Sequence, residues 1–259
     1  MENRLFIEKI SEEIKSLINQ LKSDPTNYNN LVKLANCYFR LGHSNEAEFC
    51  AKRALEINPS LFTAYFLLGN IFIRKNNLKE AEIYFRKTIE LKPDLFQAHL
   101  NLGNILKDLG KFHEASKSTL KAIELKPDFP QSHLNLAVIL KKLKDLKESK
   151  KSIYRSIELN PRMDSAHFLL SSILFEEKNE KEAVKHLLKT IEINPKLFQP
   201  YLVMANFLRS CNKLKEAEQY LLRAVDLDRN SLDANYNLGK VYESLGNYKD
   251  AFDYFSKAI

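Results

Sequence analysis

Three histidines, His99, His133 and His167, stand 34 residues apart, and carboxylates recur at the same interval. A row of imidazoles could ligate a transition metal, and paired acids could share general acid–base work. The spacing argues against both. Zinc bonds of about 2 Å require ligating nitrogens within about 4 Å of one another, whereas neighbouring helices pack about 8–10 Å apart. Glycosidase-type acid pairs need a separation of about 5–10 Å across a cleft, and repetition sets these acids in rows instead. His43, His113 and His186 lie in no HExxH-like or Cys/His context, and Ser171 and Ser172 have no nucleophile motif around them. Cys37, Cys50 and Cys211 form no CxxC pair and read as reduced thiols. No GxGxxG or GxxxxGK occurs. The expectation is a chain with no catalytic constellation, no metal and no cofactor.

The interval itself carries the information. Pro25, Pro59, Pro93, Pro127, Pro161 and Pro195 keep it throughout, and Arg229 stands at the next beat. A 34-residue period suits a helix–turn–helix unit stacked along one axis. Placing proline at position 32 starts the units at Tyr28, Phe62, Phe96, Pro130, Asp164, Phe198 and Leu232. Position 7 is then Leu34, Leu68, Leu102, Leu136, Leu170, Met204 and Leu238, and position 8 is small in every unit, from Ala35 and Gly69 to Gly239. Position 20 is alanine or serine, and position 27 is alanine, serine or threonine. Small residues there let two helix backbones approach, with larger ones at positions 4, 7, 11 and 24 filling the space around them. Gly42, Gly110 and Gly246 at position 15 should end the first helix in a left-handed turn. An acid at position 19, from Glu46 to Asp250, suits the first turn of the second helix. Asp94 with Gln97, and Asp128 with Gln131, have the spacing of capping boxes.

The L-[GA] pair at positions 7–8, E-A at 19–20 and P at 32 make this chain resemble the tetratricopeptide repeat family from Tyr28 to Ile259. Units such as Ala98–Ala115 are most similar to the long arrays of O-linked N-acetylglucosamine transferases and related bacterial proteins. The resemblance implies an all-α, right-handed α–α superhelix of about seven units (28–61, 62–95, 96–129, 130–163, 164–197, 198–231 and an incomplete 232–259). Residues 1–27 should form one leading helix whose stripe of Leu5, Ile10, Ile14, Leu17 and Leu21 covers the end of the stack. The family's tryptophan at position 4 is absent, and the histidine column reads as its structural replacement.

In the family the first helices line a concave groove through positions 2, 5, 6, 9, 12 and 13. Carried onto this chain, those positions give Asn36, Phe66, Asn70, Arg74, Asn101, Asn104, Lys107, Asn135, Lys141, Lys142, Asn206 and Asn237 as candidate peptide-binding residues. Asparagine is a mediocre helix former, and its amide offers both donor and acceptor to a peptide backbone. The transferase members are similar in presenting an asparagine ladder to extended polypeptide. Position 5 (Val32, Phe66, Leu100, Leu134, Phe168, Leu202, Tyr236) reads equally as packing or as a row of side-chain pockets. Groove charges lean basic in the first four units, which suits an acidic partner segment. The cationic positions of the chaperone-docking carboxylate clamp are neutral here.

The function expected is non-catalytic: a protein–protein interaction scaffold that binds a polypeptide segment. The alternative is the substrate-recognition region of a larger glycosyl-, sulfo- or methyltransferase. RNA binding as in pentatricopeptide arrays is disfavoured, because those keep a 35-residue period. The 259 residues carry a scattered net charge of +7. No secretory signal or membrane-length apolar run appears, so a cytoplasmic protein with no nucleic-acid or membrane partner is expected. The seventh unit stops at Ile259, leaving Phe252, Phe255 and Ile259 as an apolar end. The natural chain is expected to continue there, or to self-associate through that helix.

Overall fold

The structure, a computed structural model, describes residues 2–258, and among them are fifteen helices and no strand. Two compact units divide the chain, residues 1–145 and 146–259. The first holds α1 (Glu2–Ser23), α2 (Tyr28–Arg40), α3 (Ser44–Ile57), α4 (Phe62–Arg74), α5 (Leu78–Leu91), α6 (Phe96–Asp108), α7 (Phe112–Leu125) and α8 (Pro130–Lys142). The second holds α9 (Leu146–Leu159), α10 (Asp164–Glu176), α11 (Glu180–Ile193), α12 (Phe198–Ser210), α13 (Leu214–Leu227), α14 (Leu232–Ser244) and α15 (Tyr248–Lys257). Every first helix begins at the residue the proline register assigns. The seventh proline beat is Arg229, and α14 still starts on register at Leu232.

Position 15 closes each first helix. Gly42, Gly110 and Gly246 have φ of 87°, 76° and 78°, and the same left-handed turn is made at Asn76, Lys144, Lys178 and Asn212 with φ of 56–64°. A backbone N–H three residues past each first helix then caps a carbonyl near its end, as in His43 to Tyr38 and Lys111 to Leu106. Within each unit the second helix so returns along the first. A Cβ on Gly69 would lie 2.6 Å from the Phe85 ring, so position 8 is small because position 24 of the paired helix lies directly on it. Leu68, Leu102, Ala81, Ala115 and Phe85 join one core in the first unit, and Met204, Ala217, Leu221, Leu238 and Val241 share one in the second.

Some expectations are corrected. The capping boxes do not form: Leu95 and Phe129 are the N-cap residues, without side-chain caps. Asp94 stands one residue too early and bonds Lys92 Nζ at 3.0 Å. Helix α1 packs on α2 through Ile10, Ile14, Leu17 and Leu21, but Leu5 is exposed. At the other end Phe252 is exposed, while Phe255 is half-buried, lying beneath Gly239 and 5.6 Å from the Tyr236 ring. Ile259 lies outside the described residues.

Charge adds two periodic devices. Position 26 is always basic and pairs with the acid at position 29: Arg53–Glu56, Lys87–Glu90, Lys121–Glu124, Arg155–Glu158, Lys189–Glu192 and Arg223–Asp226. These pairs are exposed and add little individually, which gives the carboxylate column a surface role. The second device joins consecutive repeats. Glu48 on α3 meets Lys75 at the end of α4 at 2.6 Å, and Lys150 on α9 meets Glu177 at the end of α10 at 2.6 Å. Both join position 21 to position 14 of the next repeat, with the signs exchanged. Burial works against the Glu48 carboxylate, yet hydrogen bonds from Lys52 and Lys75 hold its pKa below the ordinary value.

Two outcomes follow. Lys178→Gly removes the cost of a left-handed side-chain-bearing residue and should raise stability by about 1 kcal/mol in chemical denaturation. Glu48→Lys should destabilise, and adding Lys75→Glu should restore most of the loss, with a coupling of about 1 kcal/mol in the double-mutant cycle. Independent effects of the two changes would contradict the tie.

Candidate functional site

The first helices present positions 5, 6, 9, 12 and 13 along one face, and neighbouring first helices exchange side-chain bonds there. Asn101 Nδ2 on α6 donates to Asn70 Oδ1 on α4 at 3.1 Å, joining position 6 of one repeat to position 9 of the one before. Both residues are half-buried. The bond uses one donor and one acceptor, so the pair retains open amide capacity of both kinds. In the second unit Arg209 Nη1 on α12 donates to Asn237 Oδ1 on α14 at 3.0 Å, a position 12 to position 6 version of the same bridge. Asn36 and Asn206 are exposed and Asn104 half-buried, with no side-chain hydrogen bond among the described residues.

Two candidates are placed differently from expectation. Asn135 is only 8% exposed; it accepts from Gln131 Nε2 at 2.8 Å, and its own Nδ2 is buried without a partner. No side chain from Ser132 to Ala137 is left open where α8 packs on α6 and α7. The Arg74 guanidinium lies 3.7 Å over the Phe39 ring and donates to the Phe39 carbonyl, so it is turned onto α2. Lys107 sits 3.2 Å from Asp108. Lys141 is half-buried and Lys142 exposed. Phe66 packs edge-on against Phe85 at 5.5 Å, leaving part of its ring open. In the position 5 row Leu100 and Leu134 are buried and serve as packing, whereas Tyr236 is 51% exposed.

Between α10 and α12 lies a recess that the asparagine columns do not announce. Phe168, Ser171, Ser172, Phe175, Glu180, Val203, Phe207 and Ser210 line about 430 Å³, with the Phe175 and Phe207 rings 5.3 Å apart. The columns carry only part of the signal: position 9 is Ser172 and position 6 is Val203 at this step, beside two phenylalanines, but Leu67 and Leu169 also interrupt the amides of position 6.

The histidine column is a latch. His99, His133 and His167 place Nε2 at 2.9, 2.8 and 3.1 Å from the carbonyls of Pro93, Pro127 and Pro161. Tyr201 Oη donates to Pro195 O at 3.0 Å and Asn235 Nδ2 to Arg229 O at 3.1 Å. Three residue types thus tie position 4 to the carbonyl at position 32 of the preceding repeat in five repeats, while Leu31 and Tyr65 show no such bond among the described residues. A proline carbonyl can only accept, so each histidine carries its proton on Nε2. No group of three or more metal-ligating side chains occurs among the described residues. His167 Nδ1 must then accept, and His186 Nδ1 supplies the proton at 2.9 Å from a ring stacked at 5.2 Å. Burial, then the neighbouring His167 and Lys185, hold His186 below its ordinary pKa.

Comparison with known proteins places this architecture. Tetratricopeptide repeat models match residues 29–61, 62–95, 130–163 and 164–197, and a TPR repeat model matches 103–144 and 205–246. The chain belongs to the tetratricopeptide repeat family. No curated protein matches it. Among solved structures it is similar to YrrB, described as a TPR protein with an unusual peptide-binding site (21% identity, TM-score 0.63, 70% of this chain and 94% of that one). It is also similar to pilF of Pseudomonas aeruginosa (21%, TM-score 0.69, 80% and 94%) and to yeast Tom70 (20%, TM-score 0.65, 97% and 55%). At these identities the likeness is one of fold. The family matches indicate no catalytic family, and no described helix is long and apolar enough to cross a membrane.

The His167–His186 contact requires a free lone pair on His167 Nδ1, and burial favours the neutral form of the His186 donor. A depressed folded pKa means that its stabilisation is complete above the unfolded value, about 6.5, and is lost as pH falls through the lower folded value. The thermal midpoint should therefore drop on acidification from neutral pH by several degrees more in the wild type than in His186→Gln. Parallel curves would contradict this.

Proposed function

We propose that this chain is a non-catalytic scaffold that holds an extended polypeptide segment against the face of its first helices, concave in the family. The repeat array would run over 28–259, with 1–27 as its cap. The observation that carries the reading is the Asn70–Asn101 pair. Asparagines bonded across two repeats are fixed in position, and their remaining donor and acceptor match the complementary pair that every peptide unit of an extended chain offers. Asn36 and Asn104 continue the row with unbonded amides. Fixing the amides in advance lowers the ordering cost of binding.

The cations on this face suit an acidic segment. Lys33, Lys107 and Lys142 lie on the first helices of the first unit, and the Arg40 and Arg74 guanidiniums rest on the Phe6 and Phe39 rings with their charge intact. The peptide-binding description of YrrB, a structural neighbour covering most of its own length, supports the same class of ligand.

The test uses short synthetic acidic, neutral and basic peptides in fluorescence anisotropy. Acidic peptides should bind best, and their affinity should fall as salt rises. Asn70→Ala with Asn101→Ala should weaken binding by about tenfold, while Asn135→Ala, at a closed site, should alter stability and leave affinity unchanged. Equal affinity in wild type and the Asn70/Asn101 double variant would remove the amides as the binding device.

A further inference from the structure

The bridge between neighbouring first helices is made at two steps, and an apolar residue at position 6 precludes it at others, Leu67 and Val203 among them. Position 6 bonds to position 9 of the repeat before at Asn101–Asn70, and to position 12 at Asn237–Arg209. At the step from α10 to α12 the same positions hold Val203, Ser172 and Phe175. None of these can make that bridge to Val203. The recess of about 430 Å³ described above stands at this missing bridge, within the range of about 300–1,000 Å³ usual for ligand sites.

Its chemistry is apolar. Phe168, Phe175, Val203 and Phe207 form the walls, all of them half-buried. The hydroxyls turn away: Ser171 Oγ donates to Phe168 O and Ser210 Oγ to Phe207 O, each at 2.7 Å. A polar ligand would find few free partners, and a bulky apolar side chain would replace poorly held water. One charge stands at the rim. Glu180 begins α11, is exposed, and has no ion pair among the described residues.

We infer that this recess is a specificity pocket, accepting one aromatic or large aliphatic side chain of a bound polypeptide whose adjacent residue is Lys or Arg. The inference rests on the peptide-binding reading and adds a sequence preference to it. Main-chain groups satisfied by amides do not discriminate between peptides; an apolar cavity beside a lone carboxylate does. The carboxylate also argues for a cationic peptide segment here over a second copy of the chain, whose exposed C-terminal aromatic Phe252 is flanked by Asp250 and Asp253.

The chain contains no tryptophan, so a tryptophan in the peptide reports its own burial. Three short glycine–serine peptides serve as probes, carrying Trp-Lys, Trp-Asp or Ala-Lys at the centre. Trp-Lys should bind about tenfold tighter than Ala-Lys, with a blue-shifted emission, and Trp-Asp should fall between them. Ser210→Phe, which fills the recess from an exposed position, should abolish the tryptophan preference. Glu180→Gln, a surface change that leaves the walls intact, should abolish only the Lys-over-Asp preference. In an Asn206→Ala/Asn237→Ala double variant, on the first helices of the same unit, all affinities should drop together with their ratios kept. Three peptides of equal affinity that still weaken in the asparagine variant would overturn the pocket and leave the groove reading standing. A tryptophan preference unaffected by Ser210→Phe, or a concentration-dependent dimer dissolved by that change, would also overturn the pocket. Retention of the ratios without any effect of the asparagine variant would overturn the amide device alone.

Discussion

Everything in this molecule depends on one backbone constraint, the left-handed residue at position 15 of every repeat. It stops each first helix after 13 residues and sends the second back along it. From that reversal come the packing of position 24 on position 8, visible at Gly69 beneath Phe85, and the constant phase that brings like positions together one repeat apart. Three repeats use glycine, which takes the turn without strain. Asn76 and Asn212 suit the conformation better than most residues, and Lys144 and Lys178 occupy it against preference. At Lys178 the fold tolerates this because α10 and α11 pack along each other on both sides of the turn.

Once the phase is fixed, each column becomes a slot that different chemistry can fill. Position 4 takes histidine, tyrosine or asparagine in five repeats, each bonded to the carbonyl at position 32. The slot joining position 21 to position 14 of the next repeat is filled by Glu48–Lys75 and by the reversed pair Lys150–Glu177. Between first helices the contact is an amide pair from α4 to α6, an arginine–amide pair from α12 to α14 and an apolar recess from α10 to α12. Scaffolding slots thus keep one interaction through changing residues, while the first-helix slot changes its interaction. That contrast separates the part of the sequence that builds the stack from the part that selects what lies on it.

Much of the fold was legible because it is periodic. The starts of all seven first helices, the turn glycines and the small columns at positions 8 and 20 follow from spacing alone. Asp94 shows where spacing was insufficient: a one-residue offset from the N-cap places it beside Lys92 instead of over the helix end. At the site, the column rule found the Asn70–Asn101 pair but could not know that Asn135, at the same position as Asn101, is closed over by its neighbours. It could not show Arg74 turned onto Phe39 either, because a long side chain chooses its partner by rotamer. The recess at Ser172 and Val203 is not legible in the columns, which record residues better than the space between them.

The central claim is that a polypeptide engages the amides of the first-helix face. Side-chain amide resonances of Asn70 and Asn101 in the assigned protein, followed by NMR while an acidic peptide is added, test it most directly. The account predicts that both shift together and saturate with the bound fraction, while the exposed ion-pair columns of the second helices stay unperturbed. Saturable binding that leaves the Asn70 and Asn101 amides unmoved and shifts the second-helix surface would contradict it.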